Sequence, residues 1–145
     1  TRELQRFNQF QGQILREGQA LGNVVSAQLT YANNLERIET IRSDGKIDGA
    51  DPTVASLTGS LEVRFADTTL IDAATNNTPL ELTFGYAIDA NHSLTFIAHE
   101  VYLPKPKLSI SGPGGIQATF EWQAAKASGV ARMFTVELVN DVSSY

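Results

Sequence analysis

The sequence predicts a mainly β domain, a sandwich or closed barrel of about eight strands with one short α-helix around residues 67–76 packed on it. Two stretches of strict alternation and a brief helical stretch between them carry that prediction. From Val54 to Phe65, Ala55, Leu57, Leu61, Val63 and Phe65 fall on one side, and Ser56, Thr58, Ser60, Glu62 and Arg64 on the other. This is the period of two of a half-buried strand. From Leu80 the period resumes, with Leu80, Leu82, Phe84, Tyr86 and Ile88 opposed to Glu81, Thr83, Gly85 and Asp89. Between them Asp67, Thr68 and Thr69 offer side-chain oxygens for a helix start, Leu70, Ile71, Ala73 and Ala74 supply a packing face, and Asn76-Asn77 with Thr78-Pro79 stop it. A helix this short is held only by packing on the sheet it interrupts.

The remaining elements follow in chain order. Thr1 to Asn8 has Leu4 and Phe7 at helical spacing but is too short to stand, so it reads as a linker or loose first turn. Phe10–Arg16 and Gly22–Tyr31 read as the arms of a hairpin with Gly18 and Gly22 at its tip. In the second arm Val25, Ala27, Leu29 and Tyr31 oppose Val24, Ser26, Gln28 and Thr30. Asn33-Asn34 marks a bulge, after which Leu35–Ile41 stays extended. Ser43 to Thr53 carries two Asp/Gly pairs and Pro52, and reads as a long loop.

After a turn at Asp89–His92, Ser93–Tyr102 is a strand whose alternation slips near Glu100, the mark of a bulge or an edge. Pro104-Lys105-Pro106-Lys107 blunts a sheet edge. Leu108–Ser111 is a short strand, Gly112-Pro113-Gly114-Gly115 a turn, and Ile116–Ala125 a strand with Ile116, Ala118, Phe120 and Trp122 inward. Gly129 turns the chain into a last strand, Arg132–Asn140, with Phe134, Val136 and Leu138 apolar.

At 145 residues the chain reads as a single domain, residues 1–145, large enough for one core. It opens on Thr1, so the expectation is a piece of a longer protein. With no cysteine, disulfides and thiolate metal sites are impossible. A net charge of -5 argues against a surface that grips nucleic acid, because such surfaces are basic. No apolar run is long enough to span a bilayer and no signal peptide is seen, so no membrane partner is expected.

Chemical motifs are sparse. Asp44, Asp48 and Asp51 share one glycine-rich loop, which suits a hard cation. The spacing is not that of an EF-hand and the closing glutamate is missing, so turn formation and solubility explain them better. The glycines at 112–115 precede a strand and lack a following Gly-Lys-Ser/Thr, so they form no P-loop. His92 and His99 belong to no nucleophile or metalloprotease motif. Glu62, Glu81, Glu121 and Glu137 read as a solvated sheet face, Phe84, Tyr86, Phe96, Phe120, Trp122 and Phe134 as core, and Tyr31, Tyr102 and Tyr145 as the aromatics left for the surface. No catalytic residue, metal ligand or cofactor is therefore expected, and the protein reads as a non-enzyme.

Against this background the runs Gly22–Arg42, Asp44–Pro52, Val63–Leu70, Ile110–Ala125 and Val136–Val142 resemble the tail tube proteins of long-tailed bacteriophages. The likeness covers nearly the whole chain and is one of whole strands rather than of a chemical signature. It implies a β-sandwich flanked by a helix, closing with copies of itself into rings that stack into a hollow tube through which viral DNA is ejected. It also implies that this chain is the second of two similar domains. The expected partners are other copies of the chain, other tail proteins and viral DNA passing without specific binding. The expected location is the virion tail, assembled in the bacterial host cytoplasm. By analogy with the family, Asp44, Lys46, Asp48 and Asp51 lie on the candidate inter-ring loop; Glu62 and Arg64 are candidate lumen-facing residues. Two other readings are the tube protein of a contractile secretion system and a carbohydrate-binding or adhesive β-sandwich, which needs aromatic residues on solvent faces.

Overall fold

The computed structural model describes residues 6–8, 12–39, 44, 48–64, 68–110 and 116–142. Within them lie eleven strands: β1 (Gly12–Arg16), β2 (Gln19–Ala20), β3 (Val24–Ala32), β4 (Leu35–Ile38), β5 (Gly49–Pro52), β6 (Ser56–Arg64), β7 (Leu80–Asp89), β8 (His92–Tyr102), β9 (Lys107–Ile110), β10 (Ile116–Ala125) and β11 (Phe134–Val139). One helix, α1 (Thr69–Thr75), separates β6 from β7. The expected fold class is what is found, mainly β with one short helix.

Nine strands form one strongly bent antiparallel sheet in the order β2-β1-β7-β8-β10-β6-β3, with β11 added to β8 and β9 to β10. The bend is made by β8. Its first part, Ser93–Ala98, pairs with β11, whereas Glu100–Tyr102 pairs with β10. Strand β10 exchanges neighbours in the same way, from β9 at Ile116–Thr119 to β8 at Gln123–Ala125. A strand that changes sheets makes a corner, and this one accounts for the slip in alternation expected near Glu100. One layer is then β1, β7, β8 and β11, the other β3, β6, β10 and β9.

Between the layers lie Leu57, Leu61, Val63, Leu80, Leu82, Phe84, Ala98, Val101, Leu103, Ala118, Phe120, Trp122 and Ala124, all buried. Strand β10 shows why a period of two specifies this: Ala118, Phe120, Trp122 and Ala124 are buried while Thr119, Glu121 and Gln123 face water. Phe84 stacks on Trp122 with ring centroids 5.9 Å apart. Helix α1 adds Leu70 and Ala74 to the core, with Ile71 and Ala73 packed beside them. It ends as expected: Asn77 takes φ 51, the left-handed conformation that asparagine tolerates, and the Thr78 N–H donates to the Ala73 carbonyl. Its start differs from expectation. Thr68 is already helical (φ -91, ψ -3) and makes no side-chain cap bond, because a capping hydroxyl reaches back only from an extended N-cap; Asp67 lies outside the described residues.

The expected hairpin of Phe10–Arg16 with Gly22–Tyr31 does not form. Strand β1 turns at Glu17-Gly18 (φ 49 and 74) onto the two-residue β2, and its other edge pairs with β7. Strand β3 pairs with β6 in the opposite layer. Its register shifts between Val24 and Ser26, leaving Val25 as an extra residue, so that Val24 and Leu29 both pack on the core despite opposite parity. Inward orientation is lost at Tyr86, Ile116, Val136 and Leu138, which are exposed, whereas Val54 is exposed as its outward parity requires. Strand β6 starts at Ser56, beyond Val54, and the facing layer does not reach over β11 past Phe134. Phe65, Tyr145 and the predicted turn at 112–115 lie outside the described residues.

Candidate functional site

Two features stand out from the sandwich, and both follow from the strand pattern. The first is the outer face of β3, β6 and β10. With the inward positions filled by apolar residues, the alternate ones project outward: Ser26, Gln28 and Thr30 on β3, Thr58, Ser60, Glu62 and Arg64 on β6, and Gln117, Thr119, Glu121 and Gln123 on β10. Every one is polar, and the charges are two carboxylates and one guanidinium. Glu62 is half-buried in the middle of this face, where Ser26 Oγ donates to its Oε2 at 3.0 Å. Arg64 ends the strand, exposed, with its backbone N–H on the Asn23 carbonyl. The corner strand extends the face, since Tyr102 lies beside Gln123 in register and donates from Oη to Glu100 Oε1 at 2.6 Å. Donating that bond to a carboxylate raises the cost of ionising the phenol, and the Tyr102 pKa is pushed up from its usual value.

The second feature is the stretch expected to be a long loop. Strands β4 and β5 form a separate two-stranded ribbon standing off the nine-stranded sheet. Asn34 pins its base: at φ 49 it turns the chain out of β3, its Nδ2 donates to the Val54 carbonyl at 2.8 Å and reaches Ser56 Oγ at 3.3 Å, and Thr53 Oγ1 donates to its carbonyl. The bulge expected at Asn33-Asn34 is thus a corner between two sheets. Asp44 lies exposed in the turn of the ribbon, Asp48 enters β5 with its N–H on the Ile38 carbonyl, and Asp51 is exposed on β5 directly opposite Glu36. Lys46 lies outside the described residues. The structure does not gather Asp44, Asp48 and Asp51 with Glu62 and Arg64; they belong to separate features.

Elsewhere the ionisable groups tie strands together. His99, with its side chain 11% exposed, bridges three strands of the other layer, Nδ1 to Glu81 Oε2 at 3.2 Å and Nε2 to Thr135 Oγ1 at 2.7 Å. The order is that of a carboxylate–imidazole–hydroxyl relay, yet it lies flat across the sheet. The relay joins residues from three strands, so no local sequence signal exposes it. His92 contacts Asp89 at the β7–β8 turn at 2.9 Å. The Asn91 N–H and then His92 stabilise the Asp89 carboxylate and draw its pKa below the ordinary carboxylate value. Among the described residues no group of three or more His, Asp or Glu side chains is placed to hold a metal ion, and no helix is long and apolar enough to cross a membrane.

Among the described residues the main sheet ends on β2 and β3, with the polar face on the β3 side and the separate ribbon beside it. The sequence profile of the family described as phage tail tube protein matches residues 1–124, and the chain belongs to that family. No curated protein sequence matches it. Among solved structures it is similar to the SPP1 tail tube determined by solid-state NMR and cryo-EM, with TM-score 0.62 and 12% identity over 94% of this chain and 81% of that one. It is similar also to the tail of an empty GTA particle refined with C6 symmetry, with TM-score 0.61 and 12% identity over 91% and 98% of the two chains. A third likeness is to the anti-feeding prophage cap, a tube-terminating cap, with TM-score 0.68 and 10% identity over 96% and 95%. At these identities the likeness is one of fold.

Proposed function

We propose that the chain is a non-enzymatic structural subunit of a phage or prophage tail tube, joining copies of itself into stacked rings that enclose a channel for viral DNA. The observation that carries this reading is the outer face of β3, β6 and β10, polar from Ser26 to Thr30, Thr58 to Arg64 and Gln117 to Gln123, with alanine only at the strand ends Ala32 and Ala125, and not basic. A wall of hydroxyls and amides with a slight acidic excess leaves the phosphate backbone its counterions, so DNA slides past it, whereas a basic wall would hold it. Glu62 and Arg64 then face the lumen. The β4–β5 ribbon with Asp44, Lys46, Asp48 and Asp51 reaches to a neighbouring subunit in the next ring, and the free strand edges meet sister copies within the ring. In the same reading the subunit resides in the virion tail, is assembled in the host cytoplasm, contacts other tail proteins, and is the second of two similar domains.

Negative-stain electron microscopy of concentrated full-length protein tests the reading. Rings or tubes with a central hole are the expected result. A monodisperse monomer that binds glycans would overturn it in favour of an adhesive sandwich, a reading the burial of Phe84, Phe120 and Trp122 speaks against.

A further inference from the structure

The ribbon is incomplete as it stands. A lone two-stranded hairpin is marginal in water, and this one carries a fault: Glu36 and Asp51 are cross-strand partners on one face, and like charges directly opposite destabilise a pair. Neither carboxylate has a salt-bridge partner among the described residues, because Arg37 alternates to the opposite face, where it sits across from Ala50. The face that bears the two acids also bears Ile38, half-buried.

A second surface on the same chain has the opposite character. Beside the start of β11 a cleft of about 580 Å³ opens between the layers, lined by Tyr31, Val54, Met133 and Phe134 and rimmed by Lys126 and Arg132. Its lining includes no carboxylate. Tyr31 stacks on Phe134 at 5.8 Å to make the floor, and beyond it Val136 and Leu138 continue the apolar row along β11, 50% and 53% exposed. Both cations lie on the loop that joins β10 to β11, and Arg132 spends its Nε on the Val130 carbonyl at 3.4 Å, a weak bond.

We propose that the β4–β5 ribbon of one copy seats in the Tyr31–Phe134 cleft of the next copy, with Glu36 and Asp51 meeting Lys126 and Arg132. The inference rests on the tube reading for its partner, a second copy of this chain, and on charge complementarity for its place. An acidic pair with an apolar neighbour meets an apolar floor with a basic rim, and each supplies what the other lacks. Donor and acceptor surfaces differ, so the contact is heterologous and propagates from copy to copy, as rings and tubes require. The cleft sits at the base of its own ribbon, so every copy that receives a ribbon also presents one.

The 145-residue chain contains no cysteine, so thiols introduced into it report a single contact. Glu36→Cys and Lys126→Cys are prepared separately, leaving Asp51 and Arg132 in place, and treated with a short bis-maleimide. A mixture of the two should give a linked dimer that neither gives alone, and a chain carrying both should give a ladder. In parallel, Lys126→Glu with Arg132→Glu should raise the concentration needed for half-assembly at least about tenfold without altering the thermal melt of the monomer, and adding Glu36→Lys with Asp51→Lys should restore it. If the wild type forms rings or tubes but the mixture does not link, or the charge reversal leaves assembly unchanged, the docking is wrong and the tube reading stands. If the wild type forms no rings at any concentration and nothing links, the tube reading falls and takes the docking with it.

Discussion

The indole of Trp122 lies over the backbone of Gly59. The two are cross-strand partners in β10 and β6, and a Cβ added at Gly59 would meet the Gln28 carbonyl oxygen and come within 2.6 Å of Trp122 Cε2. Glycine is needed there for space, since its backbone requires no left-handed angle. Gly59→Ala should therefore act as overpacking, at a cost of about 2–3 kcal/mol. Differential scanning calorimetry should show a melting temperature lower by roughly 5–10 °C.

Asn34→Ala should loosen the ribbon more than the sandwich. It removes two side-chain hydrogen bonds and places a residue less tolerant of φ 49 at the corner, about 1–2 kcal/mol together. Hydrogen exchange should quicken at β4 and β5 while amides of β6, β7 and β10 keep their protection. Equal loss of protection everywhere would show that the ribbon is not a separate unit.

His99→Ala leaves Glu81 Oε2 and Thr135 Oγ1 without their imidazole partner in a half-buried setting. A loss of about 1–3 kcal/mol is expected, read as a shift of the urea midpoint at neutral pH. His99→Gln, which can still donate to one partner, should recover part of it.

Asp89 gives the stability of the β7–β8 turn a defined pH dependence. Its pKa is depressed in the folded state, chiefly by the Asn91 N–H and next by His92. The folded state therefore favours the carboxylate, and the stabilisation is fully present above the unfolded value of about 3.9 and lost as pH falls through the lower folded value. Asp89→Asn should flatten this part of the stability curve between pH 5 and 2, taken roughly, while changing little about its alkaline side. An unchanged acid slope would remove Asp89 from the account.

On the polar face, Glu62→Lys with Glu121→Lys turns a slight acidic excess into a basic one without touching the core. Folding should weaken by about 1 kcal/mol, the net worth of the lost Ser26–Glu62 hydrogen bond. In particles that assemble with the double variant, DNA release should slow, and added salt should relieve the effect as counterion release demands. Release at the wild-type rate would argue that this face does not line the channel.

Much of this architecture was legible because burial and period coincide. Ala118, Phe120, Trp122 and Ala124 alternate against polar partners and lie in the core, and Leu70 and Ala74 anchor the helix where the spacing placed them. What escaped is long-range choice. Gly18 and Gly22 both signal turns, but nothing local says that β1 joins β7 while β3 joins β6. The extra residue at Val25 hid the inward set of β3, since a bulge reverses parity without a compositional mark. Residues 43–53 looked like a loop because glycines and aspartates dominate, yet pairing with Leu35–Ile38 makes Gly49–Pro52 a strand. Val136 and Leu138 read as core from alternation alone, which cannot report whether the facing layer extends far enough to cover them.

Because Asn34 closes the ribbon at its root with bonds to Val54 and Ser56, changes beyond that knot need not disturb the sandwich behind it. Insertions, deletions or foreign peptides between Leu35 and Pro52 should therefore leave the folding of the body unchanged. On the docking proposed above, the segment is an interchangeable fitting that lineages mating with new neighbours can revise first.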